Sequence, residues 1–226
     1  MANPNAYKVV YGLLEELNQI QRRKIRAFQE NNTVEIKSCI AMQKQWQKKI
    51  NALDKETLLV LIQLTGPNSN VAGLIPLRYV LEKNPHLSDK EVVSEAALCD
   101  PQILEVCPED VKNDKKFIKR TLSKTHGKLD CNCDDAEIAQ EALNIFIYDD
   151  LCNEIPACFK SNKETQKNFI ESFIKNTELY NHAMSIFKSK LANPNINDEV
   201  KKNILKKIEI MEELQKKHYP SELENE

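Results

Sequence analysis

The chain has 226 residues, of which 41% are hydrophobic and 29% charged, with a formal net charge of −2. A chain of this size buries enough apolar surface to fold without disulfides or metals. Its near-neutral charge excludes a general electrostatic attraction to nucleic acid or membranes. Four glycines, with an abundance of Lys, Glu, Leu, Ile, Asn and Gln, favour helices over sheets. We therefore predict an all-α fold.

The sequence offers no signal for secretion through a leader peptide or for a spanning helix. Its first residues, "MANPNAYKVVYGLLEELNQI", lack a basic segment, and Glu15 and Glu16 interrupt the apolar stretch. The longest nearly continuous apolar run, Leu58 to Leu64, is much shorter than the roughly 20 residues that a spanning helix needs. The odd number of cysteines, seven, predicts reduced thiols in a cytosol.

Two long antiparallel helices are predicted at the start of the chain. Asn32, with Glu35 three residues later, has the form of a capping box, so a second helix begins there and the chain turns at Asn31 and Asn32. Each helix has apolar residues at helical spacing on one face. They are Val10, Leu13, Leu14, Leu17, Ile20, Ile25 and Phe28 in the first helix, and Ile36, Cys39, Ile40, Trp46, Ile50 and Leu53 in the second.

Shorter helices follow. Asp54 caps the very apolar "KETLLVLIQL", which we expect to be buried, and the loop "TGPNSN" marks a subdomain boundary. Further helices are predicted to begin at Ser88 or Asp89, at Asp100-Pro101, at Asn113 or Asp114, at Asp134-Asp135, at Asn162, at Thr177 and at Asn197-Asp198. The predicted organisation is a hairpin with a buried short helix over residues 1–66, a repeat-like helical array over 67–192, a C-terminal helix over 193–219 and a flexible tail over 220–226.

The array contains a weakly repeated sequence pattern. The stretch "DKEVV" at Asp89 returns as "DKKFI" at Asp114, and an acidic or Asn cap followed by apolar residues occurs again at Asp135 and Asn162. The uneven spacing is typical of degenerate helical repeats, which stack because no unit buries its apolar face alone. Recurrent caps in an ordinary helical bundle explain the same pattern.

Two segments resemble parts of known bacterial proteins. "LSDKEVVSEAALCDPQILEVCPEDVKNDKKFIKRTL", and "VKNDKKFI" most closely, resembles the short helical repeats of unassigned function found in effectors of the Legionella type. The tail "EIMEELQKKHYPSELENE" resembles the Glu-rich C-terminal signals of type IV secreted effectors. The resemblance implies translocation into a host cell, without the catalytic domain that accompanies such repeats in long effectors.

Few residues suggest a catalytic or metal-binding site. In "HGKLDCNCDD", His126, Cys131 and Cys133 are metal-ligand types, but a lone Cys-x-Cys lacks the second pair of a zinc motif. A cysteine nucleophile would combine Cys39 or Cys131 with His182. No phosphate-binding Gly-rich loop is present. We therefore expect no metal and no cofactor.

The distribution of charge is more informative. Residues 112–128 carry seven basic side chains and one acidic one, and residues 130–154 carry eight acidic side chains and no basic one. The two segments attract each other in one interpretation. In a second, Glu141, Asp149 and Asp150 form an acidic docking patch for a partner protein. In a third, a basic helix binds acidic lipid head groups through Lys115, Lys116, Lys119 and Arg120.

From these observations we expect a secreted effector that binds a host protein through a helical surface. It would lie in the bacterial cytoplasm before secretion and in the host cytoplasm afterwards, with no nucleic-acid partner. The alternatives are a regulator that restrains another effector, a cysteine-dependent hydrolase or transferase with a dispersed active site, and a phosphoinositide or membrane-surface module. Binding is favoured over catalysis.

Overall fold

A computed structural model describes residues 4–66, 76–131, 135–160, 167, 169 and 173–218. All regular elements in these ranges are helices, which confirms the predicted all-α fold. The chain divides into two units, Met1–Lys112 and Asn113–Glu226. The boundary predicted after residue 66 adjoins residues 67–75, which are not described, and it stays a prediction.

The first unit begins with the helical hairpin. Helix α1 (Pro4–Gln29) and helix α2 (Thr33–Asn51) pack against each other. Asn31 takes a left-handed conformation with φ 52°, and the backbone N–H of Asn32 donates to the carbonyl of Ala27 over 2.8 Å, which closes the end of α1. The side chain of Asn32 accepts from the N–H of Glu35, as predicted. Only half of the capping box forms, because the Glu35 carboxylate binds Arg23 at 2.7 Å instead.

Trp46 holds the two helices of the hairpin together. Its side chain is 1% exposed, and its indole N–H donates to the carbonyl of Leu13 over 2.7 Å. A salt bridge of 2.7 Å between Lys49 and Glu16 lies near it on the surface. The buried residues of the interface are Leu13, Leu17, Ile20, Cys39, Trp46 and Ile50.

Three residues that the helical spacing placed on the core face of the hairpin are exposed instead. Ile25 is 57% exposed, Phe28 56% and Ile40 41%. The pattern correctly identifies the face of each helix. It does not show how far along the helix the neighbouring elements extend, so residues near the turn have the periodicity of core residues without being covered.

The rest of the first unit is a series of shorter helices. Helix α3 (Lys55–Thr65) is capped by Asp54 and buried against α1, as its composition predicted. The described residues from 76 to 112 form three further α-helices and two 3₁₀ turns, and the opening predicted at Asp100 gives only a 3₁₀ turn. Their bounds are α4 Leu77–Leu81, the turn Pro85–Ser88, α5 Lys90–Cys99, the turn Ile103–Val106 and α6 Glu109–Lys112.

Buried polar side chains connect these short helices. Asp100 is 5% exposed, and its carboxylate accepts from both the backbone N–H and the guanidinium of Arg78, at 2.9 Å each. Asn84 donates to the carbonyl of Ile50 over 3.2 Å, which satisfies an acceptor in the last turn of α2. The unit therefore closes around polar contacts as well as apolar packing.

The second unit contains four described α-helices. They are α7 Lys115–Lys124, α8 Ala136–Tyr148, α9 Thr177–Leu191 and α10 Asp198–His218, with a 3₁₀ turn at Ala157–Phe159. Phe146 of α8 forms edge-to-face contacts with Phe169 and Phe173, with ring centroids 5.9 and 5.7 Å apart. The helix predicted to begin at Asn162 and the tail over 220–226 lie largely or wholly outside the described residues.

The repeated sequence pattern has a local physical basis. The Asp89, Asp114 and Asp135 side chains each accept hydrogen bonds from backbone N–H groups in the first turn of α5, α7 and α8. The residues three and four positions after the first two caps are buried pairs, Val92-Val93 and Phe117-Ile118. The repeated sequence pattern therefore corresponds to an acidic helix cap followed by buried apolar residues, and it occurs in both units.

We predict that Trp46→Ala destabilises the protein by about 3–5 kcal/mol, because it removes a buried indole and leaves a cavity in the hairpin. The measurement is urea unfolding followed by circular dichroism. Tyr11→Ala is the control: Tyr11 lies on α1 but is 60% exposed, so its change should stay within about 0.5 kcal/mol. Equal effects of the two substitutions would contradict this description of the hairpin.

Candidate functional site

Helix α7 has one apolar face and one basic face. Its buried residues, Phe117, Ile118, Thr121 and Leu122, share one side. The opposite side carries the four basic residues singled out in the sequence, Lys115, Lys116, Lys119 and Arg120. Because its whole apolar side packs inward, α7 presents only cations and polar groups outward.

Helix α8 lies beside α7 and runs in the same direction. Lys115 of α7 pairs with the cap Asp135 of α8 at 2.5 Å, so the two helices begin side by side. Beyond the other end of α7, His126 reaches Asp149, which ends α8. A second ion pair, Lys119 with Glu137 at 3.5 Å, lies between these points. The oppositely charged segments thus contact each other, although each exposed pair stabilises the fold by less than about 1 kcal/mol.

A shallow groove of about 450 Å³ runs along this pair of helices. It is lined by Lys115, Lys116, Lys119, Arg120 and Ser123 of α7 and by Glu137 and Glu141 of α8. Lys116, Arg120 and Ser123 are exposed, and their spacing of four and three residues places them on one side of α7. Among the residues that the structure describes, Lys116 and Arg120 have no ion-pair partner. They are therefore the cations of the groove that are available to a ligand.

The residues of the predicted acidic patch lie at two places along α8, one in the groove and one at the end of the helix. Glu141 lies in the groove, next to the basic residues of α7. Asp149 and Asp150 lie about two turns further along, at the end of α8. There the Asp149 carboxylate binds Nδ1 of His126 at 2.8 Å, and the Asp150 carboxylate binds the ammonium group of Lys190. Both carboxylates thus have partners inside the second unit.

The carbonyl groups at the end of α8 are bound by side chains from α9 and α10. The ammonium group of Lys190 donates to the carbonyl of Tyr148 over 3.2 Å, and that of Lys207 donates to the carbonyl of Asp149 over 2.6 Å. The amide of Asn203 donates to the carbonyl of Asp150 over 3.0 Å. Positive charge at the C-terminal end of a helix also interacts favourably with its dipole. We call Lys190, Asn203 and Lys207 the α8 clamp.

Lys207 is the buried member of the clamp, with 1% of its surface exposed. Its ammonium group lies 5.7 Å from the ring centre of Phe146 and 5.5 Å from that of Phe187. Burial lowers its pKa below the ordinary value of 10.5, and the charge of Lys190 acts in the same direction. The sequence contained a signal for this residue, because Lys207 lies three residues after Ile204 and four before Met211, on the apolar stripe of α10.

The cysteines are mostly buried thiols. Cys39, Cys99, Cys107, Cys131 and Cys152 are free, whereas Cys158 is disulfide-bonded, so the expectation that all seven thiols are reduced is wrong. Burial raises the pKa of Cys131 to about 12, and the charge of Asp130 adds to this, so its thiol is protonated near neutral pH. His182, its predicted catalytic partner, is exposed, with Nε2 3.2 Å from the hydroxyl of Tyr148.

The residues of metal-ligand type in "HGKLDCNCDD" are only partly described. His126 is bound to Asp149, Cys131 is buried, and Cys133 lies among residues 132–134, outside the described part of the chain. Within the described ranges, no cluster of three His, Cys, Asp or Glu side chains is arranged to hold a metal ion. Within the same ranges, no helix is both long and apolar enough to cross a membrane.

The chain matches no protein-family model, no curated protein and no solved structure. Lys116, Arg120, the hydroxyl of Ser123 and the carboxylates of Glu137 and Glu141 form a polar surface along the two parallel helices.

We predict that Asp149→Asn lowers the free energy of unfolding at neutral pH by about 1 kcal/mol. This figure is the contribution of a hydrogen bond to a charged group, reduced because the pair is partly exposed to solvent. Burial acts to raise the pKa of Asp149, but the hydrogen bonds from His126 and from the N–H of Leu151, together with the charges of His126 and Lys207, outweigh it, so the pKa lies below 3.8. The carboxylate therefore stabilises the fold above pH 3.8, and this contribution is lost as the pH falls through the folded pKa.

Urea unfolding of the wild type and the variant from pH 7 down to pH 2 tests this expectation. The stability difference should shrink below pH 3.8. Glu213→Gln, at an exposed position of α10, is the control and should change stability by less than about 0.5 kcal/mol at every pH. A difference for Asp149→Asn that does not depend on pH would show that its ionisation is not what matters.

Proposed function

We propose that this protein is a helical binding module that recognises an acidic segment of a partner protein through the groove between α7 and α8. The observation that carries the proposal is the pair Lys116 and Arg120, exposed one turn apart in the groove without ion-pair partners in the described part of the chain. Ser123 adds a hydroxyl on the same side. Arg binds carboxylates with two parallel hydrogen bonds, and Lys supplies a second charge that attracts the same segment.

The mixed charge of the groove favours a protein segment over a phosphoinositide head group. Glu137 and Glu141 lie in the same groove, and their carboxylates repel a compact ligand that carries several phosphate charges. Lys115 and Lys119 are engaged by Asp135 and Glu137. An extended segment can place its acidic side chains on α7 and donors or basic side chains on α8, which is the complementarity that gives specificity.

The contacts of Asp149 and Asp150 support the basic side of the second unit as the docking surface. Their carboxylates bind His126 and Lys190, so a basic partner would compete with these contacts. Lys116 and Arg120 would lose hydration on binding an acidic segment, but they would not have to break an ion pair with a described residue. The sequence suggested an acidic surface for a partner protein and a basic surface for lipid head groups. Of the two, we therefore favour the basic one as the docking surface.

The biological setting that we propose is that of a secreted bacterial effector. It rests on the resemblance of residues 87–122 to the short helical repeats of such effectors, and of the Glu-rich tail to their C-terminal signals. The partner is then a protein of the host cell. A regulator that restrains another effector would use the same groove, with a bacterial protein as its partner.

We predict that Lys116→Glu/Arg120→Glu abolishes capture of the partner protein. The immobilised wild type and variant are exposed in parallel to host-cell and bacterial lysates, and retained proteins are identified by mass spectrometry. A charge-matched control, Lys128→Glu/Lys188→Glu, reverses two exposed lysines outside the groove. A partner should be retained by the wild type and by the control but lost with the groove variant.

The purified partner then gives a quantitative test. Its association with the groove variant should be slower by about tenfold or more, and less sensitive to salt, because steering by the two cations is lost. The lysate that supplies the partner distinguishes a host target from a second effector. If the groove variant retains the same proteins as the wild type, or if the groove binds phosphoinositide vesicles and no protein, the proposal is wrong.

A further inference from the structure

The turn of the helical hairpin carries three large apolar side chains that the fold leaves in solvent. Ile25 is 57% exposed, Phe28 56% and Val34 78%. Isolated exposed apolar residues are ordinary on protein surfaces, but these three flank the tight turn at Asn31 and Asn32 from both sides. We call Ile25, Phe28 and Val34 the tip patch.

The tip patch continues a stripe of α1 that is buried nearer the start of the helix. Phe28 follows the buried Val10 by 18 residues, and Ile25 follows the buried Leu14 by 11. These distances are five and about three full turns, so both pairs lie on one side of the helix. Helix α1 packs against both α2 and α3. Near the turn the side chains of this stripe are exposed to solvent, so the end of the hairpin is apolar.

Basic side chains are numerous in the segment that forms the end of the hairpin. Residues 20–40 contain five basic side chains and two acidic ones, in a chain whose net charge is −2. Arg23 is paired with Glu35, while Arg22, Arg26 and Lys37 are exposed and have no ion-pair partner within the described residues. Glu30 is the unpaired acidic side chain near the turn. The hairpin end thus combines exposed apolar groups with an excess of free cations.

We propose that the tip patch inserts into the head-group region of a membrane leaflet that contains anionic lipids, with Arg22, Arg26 and Lys37 binding the lipid phosphates. Apolar side chains next to Lys and Arg are the combination that holds a helix at a bilayer interface, and long basic side chains reach back to the head groups from such a position. Each basic residue near an anionic surface strengthens binding.

The shape of the patch favours a lipid surface over a protein. A hairpin end is convex, and its apolar side chains project from both sides of the turn, so a protein would need a deep complementary pocket to cover all three. A lipid head-group layer adapts to a convex object and supplies phosphates around it. This surface belongs to the first unit and is distinct from the groove of α7 and α8, so each proposal can be tested independently of the other.

Vesicle co-sedimentation tests the proposal with two lipid compositions, phosphatidylcholine alone and phosphatidylcholine mixed with phosphatidylserine. The wild type should bind only the second and should dissociate as salt is raised. Ile25→Ser/Phe28→Ser and, separately, Arg22→Glu/Arg26→Glu/Lys37→Glu should each weaken binding by about tenfold or more. Val9→Ser/Tyr11→Ser, which removes exposed apolar side chains distant from the turn, is the matched control and should bind like the wild type.

A fluorescence probe places the contact at the turn. Trp46 is the only tryptophan and is buried, so Val34→Trp adds a signal that reports on the tip. Its emission should shift to the blue with phosphatidylserine vesicles, whereas that of Tyr11→Trp should not. The proposal is overturned if the wild type fails to bind these vesicles. It is also overturned if the serine variants bind normally, or if the patch instead mediates a concentration-dependent dimer in solution.

Discussion

The C-terminal end of α8 is the constraint on which the second unit depends. A helix ends with four carbonyl groups that have no partner in the helix, and burying them without donors is costly. The α8 clamp supplies donors at this end: Lys190 and the buried Lys207 bind the carbonyls of Tyr148 and of the capping residue Asp149, and Asn203 binds the carbonyl of Asp150 just beyond the helix. The clamp fixes α8 to α9 and α10, while His126 ties the end of α8 to the segment that follows α7. In this way the clamp determines where α8 lies, and therefore where the groove beside α7 forms.

The same contacts decide which charges remain available to a ligand. The acidic residues of α8 are engaged at both ends of the helix, by Lys115 and Lys119 at the first turn and by His126 and Lys190 at the last. The basic residues of α7 are engaged only in part. The basic and acidic segments thus meet where Lys115 and Lys119 bind Asp135 and Glu137, and Lys116 and Arg120 are left without ion-pair partners among the described residues. The free charge that results is positive, although the chain as a whole carries a net charge of −2.

Local patterns predicted the helices and their caps well. Asp54, Asp89, Asp114 and Asp135 each cap the helix that follows them, because a short acidic side chain accepts backbone N–H groups whatever the rest of the fold is. Contacts between distant residues were not predictable in this way. The exposure of Ile25 and Phe28 depends on where the neighbouring helices stop, and the partners of Asp149 and Asp150 come from residues about 20 to 60 positions away. The acidic patch was therefore hypothesised from charge alone, whereas its internal partners became visible only in three dimensions.

The second unit offers free cations in the groove, whereas the carboxylates of Asp149 and Asp150 at the end of α8 have partners within the unit. The most direct test of this difference is a titration of ¹⁵N-labelled protein with a short polyglutamate peptide, followed by nuclear magnetic resonance. We expect that the amide signals of Lys116, Arg120 and Ser123 shift, that those of Asp149 and Asp150 stay in place, and that Lys116→Glu/Arg120→Glu removes the shifts. The opposite result would be that polyglutamate shifts no signals in the groove, or that a polylysine peptide binds at Asp149 and Asp150 instead.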